Sequence, residues 1–190
     1  MTSLTAEREL VSVEDYLEKE TRSEVKHEYL AGMVYAMAGA SEAHNVIAMN
    51  LYTALGSRLR GKTCQPFGSD MKVKLHPLRG DTYFYYPDAM VACDPTDSGH
   101  GWRERPSVLL EIVSEETRRI DEREKRLAYL QLKSLGAYVR IEQDRAEVAV
   151  DRRVSGDWEV ERLAGLDAVI ELLTIGVELP LAELYDRLKL

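Results

Sequence analysis

Two carboxylates in this chain stand where acids are costly. Asp88 follows Pro87 at the head of the apolar run A-M-V-A-C, and Glu111 interrupts the run V-L-L-E-I-V. An ionised carboxylate in an apolar strand is expensive to bury unless it is paired with a cation or bound to a metal. The two acids lie 23 positions apart with one polar loop between them. Adjacent strands joined by that loop would bring both to one edge of a sheet. Oxygen ligands of this kind suit a hard cation such as Mg2+ or Mn2+, and the backbone carbonyl of Ile112, next after Glu111, adds a third. A metal held there polarises a phosphoryl oxygen and lowers the pKa of a bound water. A nearby cationic side chain then orients that water or stabilises the charge that builds on phosphorus.

Each acid also has a purely structural reading. Asp88 after proline suits a turn or strand entry. A structural Glu111 needs a partner, and Arg118 or Arg119 would supply it.

The elements that must position these residues are legible from periodicity and punctuation. Ser12 precedes V-E-D-Y-L-E-K-E, a short first helix with a side-chain cap. E-V-K-H-E-Y-L, Ala31-Gly32 and M-V-Y-A-M-A form a hairpin over residues 24–38. Val46, Ile47, Leu51, Ala54, Leu55 and Leu59 recur near the helical period, which predicts a helix over 45–60 closed by Gly61. Strands follow at 63–67, 71–75 and 83–86, and Asp88 opens another through Cys93. Residues 94–106, rich in Asp, Gly and Pro, read as a loop. Residues 107–113 are nearly all apolar, as a strand buried on both faces should be. Ser114 or Thr117 caps a helix predicted over 118–135, and Gly136 ends it. A strand at 137–142 and an antiparallel pair at 146–151 and 158–163 follow, the pair turning through Ser155-Gly156-Asp157. The end of the chain reads as a strand, a break at Pro180 and a last helix. No repeat, linker or low-complexity segment interrupts this order. It describes one mixed α/β domain over residues 1–190, with residues 1–10 as a flexible tail.

Composition sets limits on function. The chain has 190 residues, 45% of them hydrophobic and 31% charged, which fits a globular core. No apolar run approaches the roughly 20 residues that span a bilayer, and M-T-S-L-T-A-E-R-E-L lacks a signal-peptide core. The expectation is a cytoplasmic protein without membrane contact. Cys64 and Cys93 have no CxxC spacing and imply neither a disulfide framework nor a zinc site. The net charge of −8 excludes a broadly basic nucleic-acid surface. Any phosphate-facing surface must be local, and its candidates are Arg58, Arg60, Lys62, Lys72, Lys74, Arg103 and Arg105. Trp102 either stacks on a base or plugs the loop. There is no G-x-S-x-G or Rossmann glycine sequence.

The order P-D-A-M-V, then L-L-E-I-V-S-E-E-T-R-R-I-D-E-R-E-K-R-L-A-Y, then G-A-Y-V-R-I-E-Q-D resembles the Uma-two family, grouped with the restriction-endonuclease-like nucleases of PD-(D/E)XK type. E-Y-L-A-G-M-V-Y and L-P-L-A-E-L extend the likeness over residues 13–188. The resemblance implies a central mixed β-sheet flanked by helices, with an N-terminal helix and hairpin as an extension. It implies a Mg2+- or Mn2+-dependent endonuclease acting on DNA, and a homodimer, since many enzymes of the superfamily pair to cut both strands. Carried over by position, Asp88 and Glu111 are metal ligands, joined by the Ile112 carbonyl and by Glu28. The lysine expected two residues after the glutamate is Val113 here, and Lys125 on the next helix takes its place. Tyr129 lies one turn beyond Lys125 on the same face, placed to bond the phosphate or the lysine. His44 matches a histidine of the family with no assigned role. Val139-Arg140 departs from an aromatic pair usual in the family, which bears on local packing. The missing lysine and the acidic total also fit another reading, a non-catalytic module that keeps the fold and binds nucleic acid or protein.

Overall fold

The computed structural model describes residues 10–190 apart from 38, 77–79, 99–100, 116–117 and 119. Residues 1–9 of the expected tail, and the alternatives Thr117 and Arg119, lie outside the described residues.

Helix α1 (Val13–Glu20) starts where Ser12 accepts a hydrogen bond from the Asp15 N–H at 3.0 Å. Strands β1 (His27–Leu30) and β2 (Met33–Ala36) form the hairpin. Its turn holds Ala31 at φ 49° and Gly32 at φ 95°, the left-handed region that two-residue hairpin turns require. Helix α2 (Glu42–Leu59) begins three residues earlier than the periodicity alone indicates, because Ser41 caps it by accepting from the His44 N–H.

Strands β3 (Gln65–Gly68), β4 (Lys72–Leu75), β5 (Tyr83–Tyr85), β6 (Ala89–Ala92) and β8 (Val108–Val113) follow. The segment read as loop carries a two-residue strand, β7 (Trp102–Arg103), parallel to β4. Asp97 ties it back by accepting from the Glu104 and Arg105 N–H groups.

The helix expected over 118–135 is not continuous. A π-helical turn, Ile120–Lys125, runs into the single α-turn α3 (Arg126–Tyr129), and the chain then leaves through looser turns. Buried Asp121 and Lys125 have partners on neighbouring strands, and those contacts override the regular helix that local propensity favours. Strands β9 (Ala137–Glu142), β10 (Glu147–Val154) and β11 (Asp157–Ala164) complete a meander. The C-terminal part adds β12 (Val169–Leu172), a 3-10 turn, β13 (Val177–Pro180) and α4 (Leu181–Leu184).

The architecture is mixed α+β. A six-stranded sheet runs β11-β10-β9-β8-β6-β3, with β8 and β9 parallel and the other neighbours antiparallel. A five-stranded sheet runs β2-β1-β5-β4-β7. Successive side chains on a strand face opposite ways, so the fully buried β8 serves two cores. Val108, Leu110 and Ile112 join α2, the β12–β13 hairpin and α4 on one face. Leu109 joins Val73 and Tyr85 of the second sheet, with Tyr129 and Tyr138, on the other. Glu111 shares the face of Leu109 and so lies between the two sheets.

The two cysteines form a single disulfide, which their spacing does not imply. The β3–β6 register sets Gln65 opposite Ala92, and Cys64 and Cys93 are the next pair along that ladder. Spacing in the sequence carries no trace of a contact made by strand pairing. Among the described residues, no helix is long and apolar enough to cross a membrane.

Candidate active site

The inter-sheet face of β8 is apolar up to Glu111, which is 3% exposed. Opposite it, just before β6, stands Asp88. The two acids are interlocked through the backbone. The Asp88 N–H donates to Glu111 Oε2 at 3.3 Å, and the Ile112 N–H donates to Asp88 Oδ2 at 2.7 Å. A residue's N–H and C=O leave an extended strand on one side, so the Ile112 carbonyl shares the side of β8 that meets Asp88. Tyr52 of α2 donates to the Asp88 carbonyl at 2.8 Å. His44, in the first turn of α2, reaches Asp88 Oδ1 with Nε2 at 3.0 Å.

Lys125 enters from the other side and is 6% exposed. Its ammonium lies 3.0 Å from Glu28 Oε1, 3.2 Å from Glu111 Oε1 and 3.5 Å from Asp121 Oδ1. Tyr129 donates to Glu111 Oε1 at 3.0 Å. Glu28 comes from β1 and also accepts from the Tyr86 N–H at 3.4 Å. Tyr138 donates to the Asp121 carbonyl at 3.1 Å, fixing the π-helical turn to β9.

The charges are strongly coupled. Burial raises the Glu111 carboxyl, the Lys125 ammonium pulls it back, and Asp121, Asp88 and Glu28 raise it again, leaving it well above the usual carboxylate range. Burial alone would lower Lys125. The Glu111, Glu28 and Asp121 carboxylates outweigh that and hold it well above its ordinary value. Burial raises the Tyr129 phenol, and the Glu111 charge adds to it. Burial draws His44 down, but its hydrogen bond and ion pair with Asp88 win, and the net shift is upward.

Thus Asp88, Glu111, Ile112, Lys125, Tyr129 and Glu28 come together at one point, with His44 attached through Asp88. Arg118, the suggested structural partner of Glu111, instead pairs with Glu142 at 2.6 Å and Glu122 at 3.2 Å. Asp121 was the residue that sequence reasoning missed. The D-x-x-x-K spacing to Lys125 was its only signal, and a charged run hid it. The candidate phosphate-facing cations are largely engaged elsewhere. Arg58 pairs with Glu183, Lys74 with Glu104 and Arg105 with Asp94, while Lys72 donates to the Tyr86 hydroxyl. Trp102 packs edge-on against Phe84, with ring centroids 5.6 Å apart, under the Lys74 ammonium. It plugs the fold.

The donor set fits a hard divalent cation in chemistry and in charge. Three carboxylates, Glu28, Glu111 and Asp121, share one ammonium, with Asp88 beside them on His44, and a second cation would relieve the repulsion that raises Glu111. Among the described residues, no three His, Cys, Asp or Glu side chains are grouped so that together they could hold a metal ion. The oxygens available are those of Asp88 and Glu111 with the Ile112 carbonyl, an open set that leaves positions for water and substrate.

The sequence profile of the Uma2 family, described as "Putative restriction endonuclease", matches residues 13–182. Two proteins of Synechocystis are similar over nearly their whole length. "Uncharacterized protein slr1290" is 31% identical over 180 residues, covering 94% of this chain and 93% of that protein. "Uncharacterized protein sll1609" is 29% identical over 173 residues, covering 88% and 96%. Among solved structures, "a putative nuclease belonging to DUF820" from Anabaena variabilis superposes with a TM-score of 0.73 at 17% identity, over 92% of this chain and 97% of that one. That likeness establishes a shared fold with two packed sheets, and the profile match extends through the acids, the lysine and the tyrosine of the buried cluster. The chain belongs to the Uma2 family of restriction-endonuclease-like proteins.

Proposed function

We propose that the protein is a divalent-metal-dependent nuclease that hydrolyses phosphodiester bonds of DNA, with the cluster around Glu111 as its active centre. The observation that carries this reading is the charge imbalance: three carboxylates converge on a single ammonium, with a fourth, Asp88, bound to Glu111 through the backbone, where water is largely excluded. Asp88, Glu111 and the Ile112 carbonyl would hold Mg2+ or Mn2+. When bound, such an ion supplies a polarised phosphoryl oxygen and a water of lowered pKa.

The chain's own residues do the rest. Lys125 stays protonated, so it does not take a proton from water. It donates to the phosphoryl oxygens and stabilises the charge that builds there. Glu28 and Asp121 hold that ammonium in place. Tyr129 fixes Glu111 through Oε1, and His44 fixes Asp88 through Oδ1.

Supercoiled plasmid and single-stranded DNA are incubated with wild type and Glu111→Gln in EDTA, Mg2+ and Mn2+. Wild type nicks only with metal, and the variant is slower by at least about 100-fold. Equal cleavage by both, or none by a folded wild type, overturns the reading.

A second reading is favoured by the three carboxylates already clustered on Lys125. In it the lysine is a permanent internal cation, and the fold serves as a binding module. Thermal unfolding separates the two. A nuclease gains stability with Mn2+ through Asp88 and Glu111, whereas the module shows no shift.

A further inference from the structure

The sheet face that carries Glu111 does not end there. Glu111 is opposite Arg140 on β9, Arg140 is opposite Ala149 on β10, and Ala149 is opposite Arg162 on β11. Residues in register on adjacent strands share a face. Asp88, Glu111, Arg140, Ala149 and Arg162 therefore form one row across the sheet, from the candidate active site to the β11 edge. Over the outer part of this row lies a cleft of about 540 Å3. Ala149 and Ala164 leave room at its floor, and Arg126, Arg140 and Arg162 stand around it.

The charge in this cleft is arranged. Asp151, 0% exposed, accepts from both Arg126 and Arg140. Two guanidiniums on one buried carboxylate leave a net positive charge at the cleft wall. The glutamates beside it are answered from outside: Glu142 by Arg118 and Arg145, Glu147 by Arg145, and Glu122 by Arg118. Arg162 is exposed and makes no ion pair among the described residues. In a chain of net charge −8, this is a local cationic groove whose wall residue Arg140 stands next to Glu111 of the acid cluster. The guanidinium fork matches phosphate oxygens.

Resting on the nuclease reading above, we propose that this cleft is a second binding site, which holds the phosphate backbone of the DNA flanking the bond to be cut. Three strand spacings separate Glu111 from Arg162, on the order of 14 Å. A nucleic-acid strand advances about 3.4 Å per nucleotide along a duplex axis, so the groove reaches about four nucleotides from the reacting phosphate. Arg140, where the family more often has an aromatic residue, thus serves binding as well as packing.

The test uses the full chain in EDTA, so that binding is read without cleavage. A fluorescein-labelled 16-mer, single-stranded and annealed, is titrated by anisotropy at several salt concentrations. Arg162→Ala binds about tenfold more weakly than wild type, and its log–log salt slope is shallower by about 0.7–0.9. Ala149→Leu, which fills the floor without changing charge, also weakens binding. Arg187→Ala, at a side chain 86% exposed, binds as wild type does. Hydrolysis of bis(p-nitrophenyl) phosphate, too short to enter the cleft, reads the active centre of wild type apart from the groove. Absence of hydrolysis in wild type, with the Arg162→Ala binding defect intact, counts against the nuclease reading and for the groove. Equal affinity and slope in Arg162→Ala and wild type, no measurable binding by wild type, or an equal loss in Arg187→Ala overturns the groove.

Discussion

His44 and Asp88 form the most accessible polar pair of the site, with side chains 20% and 14% exposed. The pKa of His44 is raised in the folded chain, so its protonated form stabilises the fold. That contribution is fully present below the unfolded value of about 6.5 and is lost as pH rises through the higher folded value. In EDTA, the stability difference between wild type and His44→Asn is therefore larger at pH 6 than at pH 9, as urea denaturation measures it. A difference independent of pH would remove the ion pair from the account. The acids of this site were legible because an acid in an apolar run has few cheap explanations, and Glu111 and Asp88 met that condition. Asp121 did not, because in R-R-I-D-E-R-E-K-R it looks like one charge on a solvated face. Only its burial beneath β9 distinguishes it from its neighbours.

The same composition hid the element that carries it. Four residues overshoot an α-helical turn by about 40°, while a π-helical turn takes more than four residues and undershoots. Asp121 to Lys125 spans the wide turn, and Lys125 to Tyr129 spans the α-turn. The two errors offset one another, and all three side chains stay on one line facing β8. Helix α2 was legible from its apolar periodicity, and the Ser155-Gly156 turn because a positive-φ glycine leaves a local signature. Tertiary crowding leaves none, and Gly136 illustrates it. A Cβ there would meet Thr174 Oγ1 at 2.1 Å and Thr174 Cγ2 at 2.8 Å. Gly136 is thus less a helix terminator than the point where β9 passes the 3-10 turn after β12. Gly136→Ala forces that turn outward at about 1–3 kcal/mol, and differential scanning calorimetry shows a Tm lower by several degrees. An unchanged Tm would mean that the turn yields freely.

At the scale of the molecule, the six-stranded sheet is apolar on the face toward α2 and the C-terminal hairpin, while its other face is apolar around Leu109 and Tyr138 and charged from Glu111 out toward β11. The order of elements along the chain followed from the sequence, whereas the lateral contacts of the sheet did not, and the Cys64–Cys93 bond is the clearest case. That bond lies at the far end of β6 from Asp88 and fastens β3, the outermost strand on that side. An outermost strand is held along one flank only and is the first to peel away. A cross-link over a sequence separation of 29 removes chain freedom worth about 3–4 kcal/mol. Reducing the bond in the intact protein should accelerate deuterium uptake at the β3 amides and leave those of β8 and β9 slow. Equal protection before and after reduction would contradict this. The bond therefore acts as a rivet on the selvedge of the sheet: it leaves the reacting groups untouched and decides whether the weave behind Asp88 can unravel.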